Sequence, residues 1–282
     1  MDEWERLMNT NTVNITEQIN FDPNKISAVK EFFDAPQEKR ITLIQPVRGA
    51  DEKEPEYLIE FLEHAKTNGE KVYIPKIYNF QKDSTGGIHI CNTMRYAIAN
   101  SGRVVVDYNP LSEGSKFDLG LTFFNNKKIE MLNSSNNFDD EITRTITWYR
   151  NRPDHVGEYN GVPALNPIFK IEYNLRKFIS PVVENIEVLE TLNNDLNHCS
   201  DKIRIRFEYT PRSGPNGETL PPALSPNTAI ALGMVYASQR GFTIINHQDL
   251  IHQSQLEDAL EKHKSYTKVA LTLDKIYNPW RE

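Results

Sequence analysis

Cysteine is nearly missing from this chain: the 282 residues hold two, Cys91 and Cys199. So wide a separation excludes a disulfide framework, and no Cys-x-x-Cys pair or Cys/His cluster offers a zinc site. The seven histidines show no ligand spacing, and His89 and His155 stand isolated, which suits packing or solvent. Basic runs are absent too. Lysine and arginine total 32 against 39 acidic residues, for a net charge of −7 and a pI near 5.6. That balance argues against a surface for nucleic acid or anionic membrane. No stretch approaches 18 consecutive apolar residues, so no membrane span is expected. The opening MDEWERLMNTNT is acidic and polar, without the apolar centre of a signal peptide. These absences together predict a reduced, cytoplasmic setting, with no metal, no organic cofactor, no nucleic-acid partner and no membrane partner.

What is present is ordinary globular composition, 38% hydrophobic and 25% charged. The length allows one large domain or two small ones. NKISAVKEFFDA has helical spacing, ITLIQP reads as a buried strand, and PEYLIEFLEHAKTNG reads as a helix closed by Gly69. KVYIP, the helix IHICNTMRYAIANSG, the strand RVVVDYNP, a further helix and the strand KKIEMLN follow. Regular alternation of strand and helix predicts an α/β fold, a Rossmann-like parallel sheet flanked by helices on both faces.

After residue 134 the pattern loosens through one amphipathic helix into a Pro/Gly/Asn-rich passage. The expected division is an N-terminal helical segment (1–39), an α/β lobe (40–150), a linker (151–165) and a second lobe (166–282). That second lobe reads as FKIEY, a long helix over roughly 175–196, the strand KIRIRFEYTP, a helix around 225–239 and GFTIIN.

The two lobes resemble each other. RVVVDYNP aligns with RIRFEYTP at an offset of 101, and DLGLTFFNNKKIEMLN aligns with ALGMVYASQRGFTIIN at 113. The 12 additional residues fall in SGPNGETLPPALSP, loop-like by composition. A partial internal duplication is expected, with no second-lobe counterpart of the first strand and its loop. Convergent strand–helix–strand wording is the alternative.

Ligands of open parallel sheets collect at the carboxyl ends of the strands. Four features meet there: Gln45, Arg48 and Gly49 after the first strand; Asp83, Gly86 and Gly87 in the next loop; Asp107, Tyr108 and Asn109 at the third strand's end; and the Ser112, Gly114, Ser115 turn that opens a helix. Such a turn serves as an N-cap or presents backbone N–H groups to a phosphate or sugar hydroxyl. Asn92 and Arg95 either face a phosphate or pair on the helix surface. Tyr108 is the better stacking candidate, whereas Phe117, Phe123 and Phe124 suit helix packing.

The combination of KVYIP, GGIHICNTMRYAI, VVVDYNP and S-x-G-S-x-x-D-L-G resembles the nucleoside 2-deoxyribosyltransferase superfamily over roughly residues 40–133, and more faintly over 202–246. The resemblance implies cleavage or transfer at an N-glycosidic bond, with the acidic residue before Leu-Gly, here Asp118, as nucleophile. It also implies that Ser112 and Ser115 hold the 5′ end of the sugar or a 5′-phosphate, and that assembly is as a homodimer or through lobe–lobe pairing within the chain. A fixed carboxylate beneath C1′ stabilises an oxocarbenium-like state and can capture it. A second acid, Asp107 in preference to Asp83, would protonate the leaving base. The family's usual Glu is one methylene longer than Asp118, and the matching second-lobe position is Ala231, which cannot serve as a nucleophile. Two further readings stay open: a non-catalytic nucleotide-binding sensor or sequestering protein, and an NAD-type ribosyl bond hydrolase. An exposed helix-face Asp118 is the structural alternative.

Overall fold

The computed structural model describes residues 23–45, 54–78, 87–107, 112–132, 170–173, 178–179, 203–207, 209–224, 226–239, 241–244, 259–260 and 265–278. The first half runs α1 (Pro23–Asp34), β1 (Arg40–Ile44), α2 (Glu56–Thr67), β2 (Lys71–Tyr73), the single turn α3 (Pro75–Tyr78), α4 (Ile88–Ala99), β3 (Arg103–Asp107), α5 (Glu113–Phe124) and β4 (Lys128–Leu132). Its four strands form an all-parallel sheet in the order β2-β1-β3-β4. The expected α/β sheet with flanking helices is therefore present.

Period-two alternation sorts the sheet's side chains onto two faces. Ile41, Leu43 and Val105 pack with Leu58 and Ala65 of α2. Ile44, Val104 and Val106 pack on the other face with Cys91, Met94 and Ala97 of α4 and with Phe117 and Leu121 of α5. Strands covered on both sides explain the unbroken apolar runs that the sequence carries there. Gly69, at φ +67, turns the chain out of α2 in the left-handed region that glycine adopts without a Cβ penalty. Arg103 at the start of β3 grips Glu70 with two bonds, Nη1 to Oε1 at 2.6 Å and Nη2 to Oε2 at 3.1 Å. That pairing ties the β2 entry to the sheet.

The second half contains β5 (Lys170–Tyr173), β6 (Phe178–Ile179), β7 (Ile203–Arg206), β8 (Tyr209–Ser213), β9 (Thr219–Leu224), α6 (Pro226–Ala237), β10 (Phe242–Ile244) and α7 (Tyr266–Tyr277). β7 and β10 are parallel and joined through α6, whereas β5 runs antiparallel to both β7 and β6. Three expectations are corrected. Residues 178–179 lie in a strand paired with β5, not in the helix expected across 175–196. KIRIRFEYTP does not run as one strand, and SGPNGETLPPALSP is not a plain loop, because residues 209–224 fold back as the β8–β9 hairpin. Its turn closes with the Gly214 N–H on the Glu218 carbonyl and Gly217 at φ +79. Two prolines inside β9 disguised it, because proline supplies no ladder donor and suits an edge.

Helices α5 and α6 make the most extensive contact between any two helices. A Cβ on Gly120 would run into the Ile230 carbonyl oxygen and come within 2.9 Å of the Gly233 Cα. A Cβ on Gly233 would run into the Phe117 carbonyl oxygen and come within 3.1 Å of the Gly120 Cα. Only glycine at both positions lets the backbones approach so closely. One buried apolar cluster consequently holds residues of both halves, from Ile44 and Val106 to Ala229, Phe242 and Val269.

Candidate functional site

The strand order reverses between β1 and β3, and ligands of open α/β sheets bind beyond the carboxyl ends of strands at such a reversal. Gln45 follows β1 there, and Asp107 ends β3. The Ile44–Val106 pairing makes them the next step of the ladder. Gln45 is 6% exposed, and neither its Oε1 nor its Nε2 has a hydrogen-bond partner among the described residues. An unsatisfied buried polar group costs about 1–3 kcal/mol, which makes Gln45 an expensive residue to keep for packing alone. Asp107 is wholly buried, and its Oδ1 accepts the Tyr57 hydroxyl of α2 at 2.7 Å.

Asp118 lies on the other side of the sheet, in the second turn of α5. Ser112 caps that helix, its Oγ accepting the Ser115 N–H at 3.2 Å and lying 3.0 Å from the Ser115 hydroxyl. The residue as a whole is only partly buried. The Oδ1 of Asp118, however, is covered and has no hydrogen-bond partner among the described residues. Burial raises its carboxyl pKa from 3.8 to about 8. One oxygen of this carboxyl is thus turned away from bulk water, although the residue as a whole keeps partial exposure.

The surroundings of Asp118 come from both halves. Burial pushes the Tyr73 and Tyr266 phenols up, and the Asp118 charge adds to both shifts, so the carboxylate lies within electrostatic reach of β2 and of α7. Tyr266 fills the space over Gly114, its hydroxyl 3.0 Å from where a Cβ would stand, and its ring packs on Phe117 at 4.9 Å. Glu113 accepts the Leu224 N–H at 2.8 Å and also the Tyr266 N–H, which joins the α5 N-terminus to β9 and α7. Burial raises the Glu113 pKa against the pull of those two bonds. Gly87, at φ +104, lets Val269 approach the start of α4.

Comparison with protein-family models, with curated proteins and with solved structures returns no match. The site is therefore read from its own geometry.

Of the residues singled out in the sequence, Gln45 and Asp107 are brought side by side. Asp118, Gly114 and Ser115 share one flank of α5, and Ser112 caps it. Asn92 accepts the Tyr236 hydroxyl at 2.6 Å, and Arg95 stacks over the same ring at 5.8 Å. Both join α4 to α6. Arg48, Gly49, Asp83, Tyr108 and Asn109 lie outside the described residues, as do Gly86, His155 and Cys199. Phe117 and Phe123 are buried in helix packing, as their spacing suggested. Sequence reasoning missed Tyr57, Tyr73, Glu113 and Tyr266. Tyr57, Tyr73 and Tyr266 reach the site from distant parts of the chain, and Glu113, inside the Ser112–Ser115 turn, is marked only by the Leu224 and Tyr266 N–H groups it accepts.

Among the described residues no group of three or more His, Cys, Asp or Glu could hold a metal ion, and no helix is long and apolar enough to cross a membrane.

Proposed function

We propose that this protein breaks or transfers the N-glycosidic bond of a nucleoside or nucleoside 5′-monophosphate, with Asp118 as nucleophile. The observation that carries the reading is the covered, unbonded Oδ1 of Asp118. A carboxylate oxygen with no donor among the described residues is stabilised by positive charge arriving next to it, and an oxocarbenium-like sugar supplies that charge only in the transition state. Asp118 Oδ attacks C1′, the C1′–N bond breaks, and its electron pair leaves on the base nitrogen, which takes a proton. Asp107 is the group proposed to give that proton. Water or a second base then displaces the sugar from Asp118 and frees the carboxylate.

The test is incubation with a panel of nucleosides, their monophosphates and NAD, with free base as the readout. Release by the wild type that disappears in Asp118→Asn supports the reading. A sugar adduct on Asp118, seen as an intact-mass increment, supports it further. Release undiminished by Asp118→Asn refutes the nucleophile, and release from NAD alone moves the substrate to dinucleotides. The competing reading, a sensor that binds without turnover, draws on the raised pKa of Asp118. A carboxyl mostly protonated at neutral pH is a poor nucleophile until something draws its proton away. Tight nucleotide binding without base release would establish that reading instead.

We also propose that the second half is a degenerate copy of part of the first. The support is a set of matched contacts. Gly120 and Gly233 meet each other, and each faces the carbonyl of the other helix three residues upstream, Phe117 or Ile230. Both pairs are 113 residues apart. Asn126 and Gln239, also 113 apart, are the only described non-glycine residues with positive φ, at 51 and 58. Their N–H groups bond the matching carbonyls of Phe123 and Tyr236. This reciprocity is what a two-fold interface between like elements produces. Strand pairing refines the alignment: Val104 sits beside Ile129 and Ile203 beside Phe242, so the first strands match at an offset of 99 rather than 101. A two-residue shift keeps every side chain on its face. Beside β7 stands antiparallel β5, where β3 has parallel β1, so the likeness is confined to one β–α–β unit. Ala231, wholly buried at the position matching Asp118, leaves the second unit without a nucleophile.

A further inference from the structure

Gln45 has no part in the bond-breaking chemistry above, yet it is the most conspicuous polar group at the strand-order reversal. Both polar atoms of its carboxamide are covered and bonded to no group among the described residues. It extends the β1–β3 ladder by one step beside Asp107, whose Oδ1 already takes the Tyr57 hydroxyl. Strand alternation carries it to the α2 face, opposite the flank on which α5 carries Asp118. A nucleoside lying across the sheet edge would therefore turn its sugar to one side and its base to the other.

A carboxamide is planar and presents one acceptor and two donors at a fixed spacing. Its complement is a planar group with a donor beside an acceptor, such as the amino group and ring nitrogen of an adenine or cytosine edge. We propose that Gln45 reads the hydrogen-bonding edge of the ligand's heterocyclic base and so sets base specificity at this site. The inference rests on the nucleoside reading above and adds the residue that chooses the base.

The test compares wild type with Gln45→Leu and, should that variant fold poorly, the near-isosteric Gln45→Met. Three probes are titrated by calorimetry: adenosine, purine riboside (which lacks the exocyclic amino group) and ribose 5-phosphate. Wild type is expected to bind adenosine at least tenfold more tightly than purine riboside. In Gln45→Leu that preference should fall to within twofold, with ribose 5-phosphate affinity unchanged. The same comparison is made with cytidine and its 4-deamino analogue, and a preference in either pair that Gln45→Leu erases supports the proposal. A preference that survives in Gln45→Leu overturns it, as does an equal loss of ribose 5-phosphate binding. Wild type that binds nucleosides with no preference in either pair overturns it alone. Wild type that binds none of the probes overturns the nucleoside reading, and this inference with it.

A melt of the free protein separates a reading role from a structural one. Removing a buried group that no protein atom satisfies should leave the melting temperature of Gln45→Leu unchanged or raised. A fall of several degrees in both Gln45→Leu and Gln45→Met would mark Gln45 as a packing residue and overturn the proposal.

Discussion

Asp118→Asn separates the electrostatic account of the site from any argument about substrate. In the folded protein this carboxyl titrates at about 8 rather than 3.8, because burial disfavours its anion. An acid whose pKa is higher folded than unfolded binds protons more tightly in the native state. Stability is therefore withdrawn as pH climbs from the unfolded value to the folded one. At about 1.4 kcal/mol per unit, the gap sets a ceiling of roughly 6 kcal/mol above pH 8. Part of the residue still meets water, so about half of that, ~3 kcal/mol, is the working figure. Asparagine has the same shape and no charge to lose. Its advantage over the wild type should be near zero at pH 4 and about 3 kcal/mol at pH 8.5, a rise of roughly 6–12 °C in melting temperature. Denaturant melts of both proteins at pH 4, 6.5 and 8.5 measure this directly. Activity should move the opposite way: base release under kcat/KM conditions should climb with pH, with a midpoint near 8, as the nucleophile ionises. A stability difference that does not change with pH, or a variant weaker than wild type at every pH, would show that Asp118 is not held in a water-poor site.

Gly120→Ala or Gly233→Ala should each destabilise by about 3 kcal/mol or more, because the new methyl meets backbone of the facing helix rather than a side chain that can move; thermal melts check it, and a loss under 1 kcal/mol would refute the tight crossing. Glu113→Ala should cost about 2 kcal/mol by leaving the Leu224 and Tyr266 N–H groups without their acceptor. Glu113→Gln, which keeps one acceptor oxygen, should recover part of that loss in the same urea titration. Arg103→Lys should cost about 1–2 kcal/mol, since a point charge cannot reproduce the two-pronged grip on Glu70. The Arg103 bond holds Glu70 below the usual carboxylate range, so the stability it brings should disappear as pH falls through that lowered value. Acid titration of Glu70→Gln beside wild type measures the difference.

The first sheet was legible in the sequence because its signals are local. ITLI and RVVV are short, mostly apolar runs that suit strands covered on both faces, and the helices between them keep a 3.6-residue period. The Asp-Leu-Gly stretch and its Ser112 cap were readable for the same reason: a cap is a relation between residues three apart. The β8–β9 hairpin was hidden because its prolines and glycines match a loop as well as an edge. Residues 178–179 were misread because two strand residues among helix formers carry no period.

Which residues meet at the site is another matter. Tyr57, Tyr73 and Tyr266 are aromatic residues with nothing unusual in their neighbours, and Glu113 stands unmarked inside the Ser112–Ser115 turn. They matter because parallel crossovers and the Gly120–Gly233 contact bring distant segments together. Likewise, the sequence contained Asp118 but not its pKa, since burial is a property of what surrounds a group. Chain order determined the strands, the helices and the alternation that makes a parallel sheet. Only the packed structure decided that one carboxyl oxygen and one carboxamide would be left covered, with no partner among the described residues. The cost of desolvation depends on atoms brought from elsewhere in the chain.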